Sequence, residues 1–249
     1  MPELVLMRHG ATVWGQENKF SGWGDTALSA SGLQEAETAG KALATFGFDQ
    51  VFTSVLLRAR QTASCVIKHS NSRSPVIRAD WRLNERHYGA LQGHSRAEMI
   101  ARYGNQQVVA WRRSFHAVPP LLADDDVRWL EQVKHWPDIP YTSQPRAESM
   151  AQAAIRAEAV WIDSIVPALS AGKTVLVVAH TSSLRGLSKI IHGLDDMATE
   201  EFRIATAIPR RYCFNAALSL VDYEDLQSGV KSRFRTLINR LKPKRWGFV

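Results

Sequence analysis

The 249-residue sequence predicts an α/β fold, a three-layer sandwich. Its central sheet is expected to be mostly parallel, with helices on both faces and an edge strand near the C-terminus. Two strand-length apolar runs carry this expectation, residues 4–7 near the start and residues 174–179 near the end. The first closes on Arg8, His9 and Gly10 ahead of a polar loop, and the second closes on His180 ahead of helix-opening residues. Between them strand-like and helix-like segments alternate without an internal repeat, the pattern of βα units and not of a solenoid.

Taken in order, residues 4–7 form a buried strand that stops at Arg8, His9 and Gly10. Residues 11–26 are polar and read as a loop anchored by Trp14, Phe20 and Trp23. A helix over 29–47 follows, with Ser31 as N-cap, an apolar face of Leu33, Ala36, Ala39, Gly40 and Leu43, and Gly47 as its stop. Residues 50–53 make a short strand, and Ser54 is expected to cap a helix running to about His69. A third strand fits 75–79, an irregular polar stretch fills 83–93, and helices suit 95–103 and 105–114. Residues 118–145 read as a loop-rich insertion, with five prolines and the acidic run Asp124-Asp125-Asp126, which suits a solvated loop better than a metal site. A long helix over 148–169, the strand at 174–179, a helix from Ser182 or Ser183 to His192 and an edge strand over 212–223 complete the order.

Composition narrows the class. The apolar fraction of 45% and charged fraction of 22% are those of a globular chain, and no run reaches membrane-span length. Two cysteines, Cys65 and Cys213, make no disulfide framework, and the N-terminus opens on a strand and not on a secretory signal. These features predict a cytoplasmic protein without a membrane partner. The net charge of +7 is concentrated in residues 226–249, where Lys231, Arg233, Arg235, Arg240, Lys242, Lys244 and Arg245 stand without an acidic residue. The remaining chain is balanced. A basic tail alone does not make a nucleic-acid reader, and no reader motif accompanies it, so no nucleic acid is expected.

Chemistry gathers at strand ends. Open α/β sheets bind ligands at the carboxyl ends of their strands, where Arg8, His9 and His180 stand and where the helix bearing Arg58 begins. An imidazole can be a nucleophile toward phosphorus, and guanidinium groups hold phosphate oxygens in charge-assisted pairs. The helix after His180 offers N–H groups and a favourable dipole to an anion. Alone, His9 reads equally well as a surface histidine, and His180 as a strand-end histidine bonded to a carbonyl; their convergence favours a shared site. The eight histidines show no HExxH-type spacing, and no metal is expected.

These residues also carry a resemblance. Leu6-Met7-Arg8-His9-Gly10 resembles the signature of the histidine phosphatase superfamily. Residues 17–23, 53–59 and 83–93, with Trp111-Arg112-Arg113, Glu148-Ser149 and Ala179-His180, are similar to cofactor-dependent phosphoglycerate mutases. The eleven-residue block from Leu83 to Gly93 is the most specific part, and the likeness runs in unbroken order over about residues 3–223. It implies a catalytic domain over residues 1–225, followed by the basic tail at 226–249. It further implies that His9 carries a phosphoryl group, that Arg8, Arg58 and His180 surround it, and that Glu85 moves the substrate proton. Arg86, Tyr88, Arg112 and Arg113 would hold a carboxylate and a second phosphate, and Ser21 and Gly22 would line the pocket. Gly10, Thr12, His87, Arg96, Thr181 and Ser182 complete the implied substrate contacts. The implied reaction interconverts 3- and 2-phosphoglycerate, primed by 2,3-bisphosphoglycerate, and the resemblance leaves a homodimer or a homotetramer open.

The chain departs from that pattern in places. Gly15 replaces a polar residue, Arg96 a lysine, and Thr181-Ser182 a Gly-Asn pair, while Pro209-Arg210-Arg211 replaces an apolar stretch. The tail differs from the small-residue tail of such mutases. The alternative expectation is therefore a histidine-type phosphatase acting on a small phosphorylated metabolite or phosphoprotein, in which water replaces the second acceptor. A binding module built on the basic tail is a third, disfavoured by the intact His9, Arg58, Glu85 and His180.

Overall fold

Strand and helix alternate through the computed structural model, which describes residues 2–227 and 230–232. β1 (Glu3–Arg8) leads through a short α1 (Val13–Gln16) to α2 (Ala30–Ala42), β2 (Gln50–Thr53), α3 (Leu57–His69) and β3 (Val76–Ala79). Tight turns at Trp81–Leu83 and Gly89–Leu91 precede α4 (Arg96–Tyr103), α5 (Asn105–Arg113) and α6 (Val127–His135). α7 (Met150–Val160) continues through a π-helical turn, Trp161–Ile165, into α8 (Val166–Ser170). β4 (Thr174–Ala179), α9 (Thr181–His192), α10 (Asp196–Glu201), β5 (Arg210–Phe214), β6 (Leu220–Gln227) and β7 (Val230–Ser232) follow.

The strands form one sheet in the order β3-β2-β4-β1-β5-β6-β7. The first four are mutually parallel, and β5 to β7 extend the sheet antiparallel. Parallel strands covered on both faces read as continuous apolar runs, which is why 4–7 and 174–179 stood out. One face packs Leu4, Leu6, Val175 and Val177 against Val160, Trp161, Ile165, Leu184 and Leu187 of α7, its π-turn and α9. The other packs Val5, Met7, Leu176 and Val178 against Ala39, Leu43, Ala59, Ala63 and Val66 of α2 and α3. β1 and β4 are neighbours with Arg8 opposite Ala179, so the residues that leave both strands, His9 and His180, emerge side by side.

Several elements differ from the sequence expectation. α2 is capped by Ser29, whose hydroxyl accepts from the Gly32 N–H, while Ser31 bonds to Gln16 and Ser29. α3 starts three residues past Ser54, with no side-chain cap. The insertion at 118–145 contains α6, an amphipathic helix that buries Trp129 and Gln132 among the prolines. The edge strand over 212–223 is a hairpin, β5 and β6, because Asn215 turns the chain by accepting from Ala217 and Ser219 N–H. Most of the basic tail, from Arg233 onward, lies outside the described residues.

Candidate active site

His9 and His180 lie with ring centroids 4.9 Å apart, both buried. The His9 Nδ1 is 2.7 Å from the carbonyl oxygen of Gly10. A carbonyl only accepts, so Nδ1 carries the proton and Nε2 keeps its lone pair. Burial, and then the charges of Arg58 and Arg8, hold the His9 pKa well below the ordinary imidazole value. At neutral pH the ring is therefore uncharged, with a free lone pair on Nε2. The same causes, burial first and Arg58 next, depress His180. Its Nε2 lies 2.6 Å from the hydroxyl of Ser54, a residue read from the sequence only as a cap.

Arg58 is fully buried on the first turn of α3 and is fixed by the loop that precedes α2. It donates to Gly24 O at 2.9 Å through Nη1 and to Gly22 O at 2.7 Å through Nη2. The turn that holds it is closed by Gly24 N–H on Ser21 O, and this is where Ser21 and Gly22 enter the site. Burial lowers the Arg58 pKa to about 10, so it remains a cation at neutral pH. The Nε groups of Arg8 and Arg58 and the Nδ1 of His180 are buried without a hydrogen-bond partner in the protein. Unpaired buried polar groups are costly, and an anion would satisfy the guanidinium donors.

Glu85 bridges the two halves of the site. Its Oε1 accepts from its neighbour Arg86 N–H at 2.9 Å and from Ser182 N–H at 3.1 Å, at the start of α9. Burial pushes the carboxyl up, but hydrogen bonding from the Ser182 side chain, the charge and N–H of Arg86 and the charge of Arg8 outweigh it, leaving the pKa below the usual value. The loop carrying Glu85 is held by Arg156 of α7, which the sequence reading missed. Arg156 donates to the carbonyls of Arg82, Asn84 and Glu85 at 2.9 Å and forms a two-pronged pair with Glu148 at 2.7 and 2.8 Å. Glu148 in turn accepts from His87 N–H. With five hydrogen bonds, Arg156 fixes the backbone on which the carboxylate stands.

A second group of cations gathers beside Glu85. Arg86 is fully buried, stacks 4.8 Å from the Tyr88 ring centroid, and bonds through Nη2 to the Arg112 carbonyl. Its Nε and Nη1 have no partner. Arg112 is half-buried, and burial together with Arg96, Arg113 and Arg86 lowers its pKa. Arg96 and Arg113 are exposed at the rim. Arg185 of α9, also missed from the sequence, is held by Nε to Phe202 O at 2.9 Å and feels Glu85, Arg86, Tyr88 and Arg8.

Some implied contacts have other employment. His87 is fully buried with its Nδ1 accepting from Gly89 N–H and its Nε2 bonded to Gln132 of α6, so both nitrogens serve the protein and not a ligand. The Thr12 hydroxyl caps α1 by accepting from Gly15 N–H. Thr181 opens α9, where its neighbour Ser182 gives its N–H to Glu85. Gly10 answers a packing demand: a Cβ there would lie 2.4 Å from Gly32 O, and one on Gly32 would lie 1.9 Å from Ala11 O. Among the described residues no group of three His, Cys, Asp or Glu side chains is placed to hold a metal ion. No helix among them is long and apolar enough to cross a membrane.

A buried neutral histidine at the end of β1, a second at the end of β4 and arginines with unspent donors define a phosphoryl-handling α/β protein. The chain belongs to the histidine phosphatase superfamily (branch 1), matched over residues 4–129 and 122–232. It is 42% identical over 217 residues to the 2,3-bisphosphoglycerate-dependent phosphoglycerate mutase of Thermobifida fusca, covering 86% of this chain and 88% of that one. It is 43% identical over 211 residues to the protein of the same name from Clavibacter sepedonicus, covering 84% of each. Among solved structures, a mycobacterial glucosyl-3-phosphoglycerate phosphatase in complex with VO3 superposes with a TM-score of 0.68 at 22% identity, over 90% of this chain and 97% of that one. That likeness concerns the fold alone.

Proposed function

We propose that the protein interconverts 3-phosphoglycerate and 2-phosphoglycerate through a phosphohistidine at His9, primed by 2,3-bisphosphoglycerate. The observation that carries this reading is a pair of adjoining cation sets with Glu85 between them in the hydrogen-bond network. One set, Arg8 and Arg58, flanks the neutral His9; the other, Arg86 and Arg112 with Arg96 and Arg113 at the rim, has unpaired donors of its own. A monophosphoester needs only the first set. A phosphoglycerate brings a second anionic group, and forked guanidinium groups suit carboxylate and phosphate alike. Relatives that are 41–43% identical over most of the chain carry the mutase name.

The unpaired nitrogens of Arg8, Arg58, Arg86 and His180 fit a ligand with anions at both ends, as 2,3-bisphosphoglycerate is. When bound, it supplies the first phosphoryl group. His9 Nε2 forms the N–P bond as the P–O bond to the leaving oxygen breaks, and that oxygen departs as a hydroxyl by taking a proton from Glu85. Arg8, Arg58 and the Nδ1–H of His180 take up the charge on the three transferred oxygens, where positioning and fixed charge do most of the work. In the return step a substrate hydroxyl attacks phospho-His9 and gives its proton to Glu85. The depressed carboxyl pKa suits it to begin that step as a base. Arg86, Tyr88, Arg112 and Arg113 hold the rest of the substrate, with Ser21 and Gly22 in the wall of the site.

A coupled assay with 3-phosphoglycerate, with and without 2,3-bisphosphoglycerate, tests this reading. Turnover to 2-phosphoglycerate that depends on the primer is expected. Release of inorganic phosphate without isomerisation would overturn it in favour of the phosphatase alternative.

A further inference from the structure

Ser54 and His180 are both fully buried, with Ser54 Oγ 2.6 Å from His180 Nε2. The same hydroxyl accepts from Leu56 N–H at 3.3 Å. His180 Nδ1 has no hydrogen-bond partner in the protein. A hydroxyl has one proton to give, and the two histidine tautomers use it differently.

If Nε2 carried the proton, Ser54 would receive two hydrogen bonds and its own proton would have no acceptor. His180 Nδ1 would also be left as a bare acceptor, making two unpaired buried groups. If Nδ1 carries the proton, Ser54 donates to Nε2 and accepts from Leu56, and only the Nδ1–H is unpaired. An unsatisfied buried group bears its full desolvation cost, so the count favours the second arrangement. A phosphoryl oxygen would then pair the remaining donor, whereas a bare Nδ1 lone pair would repel it.

We propose that Ser54 is a positioning residue that fixes the tautomer of His180, holding its proton on Nδ1 as a donor to the anion bound beside His9. The inference rests on the phosphoryl-transfer reading only for the identity of that anion. Ser54 does this from the end of β2, where its neighbours Thr53 and Val55 are tied to other parts of the site: Thr53 pairs with Val178 of β4, and Val55 N–H bonds the Asn84 side chain. The depressed pKa of His180, caused first by burial, keeps the ring neutral, so its tautomer, and not its charge, decides what it offers.

Long-range proton–nitrogen correlation spectra of histidine-labelled protein test the assignment, with His180→Asn identifying the resonance. In the wild type, His180 should show a protonated Nδ1 and a bare Nε2. Adding orthovanadate as a phosphoryl mimic should move the Nδ1 signal and leave Nε2 unchanged. In Ser54→Ala the tautomer should become mixed and vanadate should bind about tenfold more weakly, the worth of one charge-assisted hydrogen bond. Ser54→Cys, a weaker donor, should fall between.

A protonated Nε2 in the wild type would overturn the proposal without any variant. So would a Ser54→Ala protein whose tautomer and vanadate affinity match the wild type. Failure of the mutase assay would leave these spectra as they are, so the two ideas fail separately.

Discussion

The backbone N–H of Ser182 donates to the Glu85 carboxylate at 3.1 Å, joining the first turn of the helix behind His180 to an acid that stands among Arg8, Arg58, Arg86 and Arg185. Burial raises the Glu85 pKa, but a hydrogen bond from the Ser182 side chain and the charge and N–H of Arg86 hold it below the usual carboxylate value. The Asn-to-Ser departure at position 182 leaves this contact intact because it runs through the backbone.

Replacing Glu85 by Gln should therefore preserve the site's shape while removing the exchangeable proton. Phosphoglycerate turnover is expected to fall by about a hundredfold to ten-thousandfold, the usual range for a lost general acid–base. Phosphorylation of His9 by p-nitrophenyl phosphate, whose leaving group needs no proton, should change far less. Equal losses on both substrates, measured by stopped-flow release of nitrophenolate and by the coupled assay, would assign Glu85 a structural role instead.

His9→Asn should keep the fold and lose the phosphoenzyme. Labelled 2,3-bisphosphoglycerate is expected to leave an acid-labile, base-stable phosphate on the wild type and none on the variant. A label that survives the substitution places the nucleophile at another residue.

Arg156 and Glu148 form a buried two-pronged pair, so Arg156→Met leaves a buried carboxylate without its cation and three carbonyls without their donor. A loss of about 3–5 kcal/mol is expected on breaking such a pair. Urea denaturation monitored by tryptophan fluorescence measures it directly. Because the freed carbonyls belong to residues 82, 84 and 85, any folded fraction should also turn over more slowly.

The stability of the protein should fall on mild acidification. Burial lowers the pKa of His87 and His192 to about 4, and depresses His9 and His180 as well. The unfolded chain takes up protons near pH 6.5, which the folded state refuses, so stability is undiminished above that value and is lost between about pH 6.5 and about pH 4. Each such histidine contributes a slope of up to about 1.4 kcal/mol per pH unit. His192 sits among the rings of Phe202, Tyr212 and Tyr223, and His192→Phe should flatten the slope. Urea midpoints across that range provide the check, and an unchanged slope in the variant would contradict the assignment.

What the sequence made legible follows from where local pattern and tertiary role coincide. β1 and β4 are buried on both faces and so were apolar throughout, and each ends on a histidine that the parallel register then sets beside the other. Glu85, Arg86 and Tyr88 were reachable only through resemblance, because an irregular loop has no periodicity to read. Ser54 was mistaken for a cap because a serine before a helix has two uses for its hydroxyl, and only the distance to His180 chooses between them. Arg156 and Arg185 looked like ordinary charged positions on helices; nothing local reveals that one grips three carbonyls and the other lies against the site. His87 was drawn into the ligand set by its neighbours in the motif, whereas its ring is consumed by Gln132 and Gly89, and Gln132 belongs to a helix hidden among prolines.

The contact between Gly10 and Gly32 gives the orientation of His9 a remote dependency. Neither position tolerates even a methyl group against the facing backbone, so the turn after His9 and the start of α2 are in register at the closest spacing two chains permit. Position 32 carries no functional group, lies outside every motif that marks the site, and would be passed over in any search for reactive residues. Yet a single added carbon there would push on the peptide that follows Gly10, whose carbonyl orients the imidazole of His9. Position 32 is thus a silent constraint: change at that one point would shift the imidazole of His9 without altering any side chain around it.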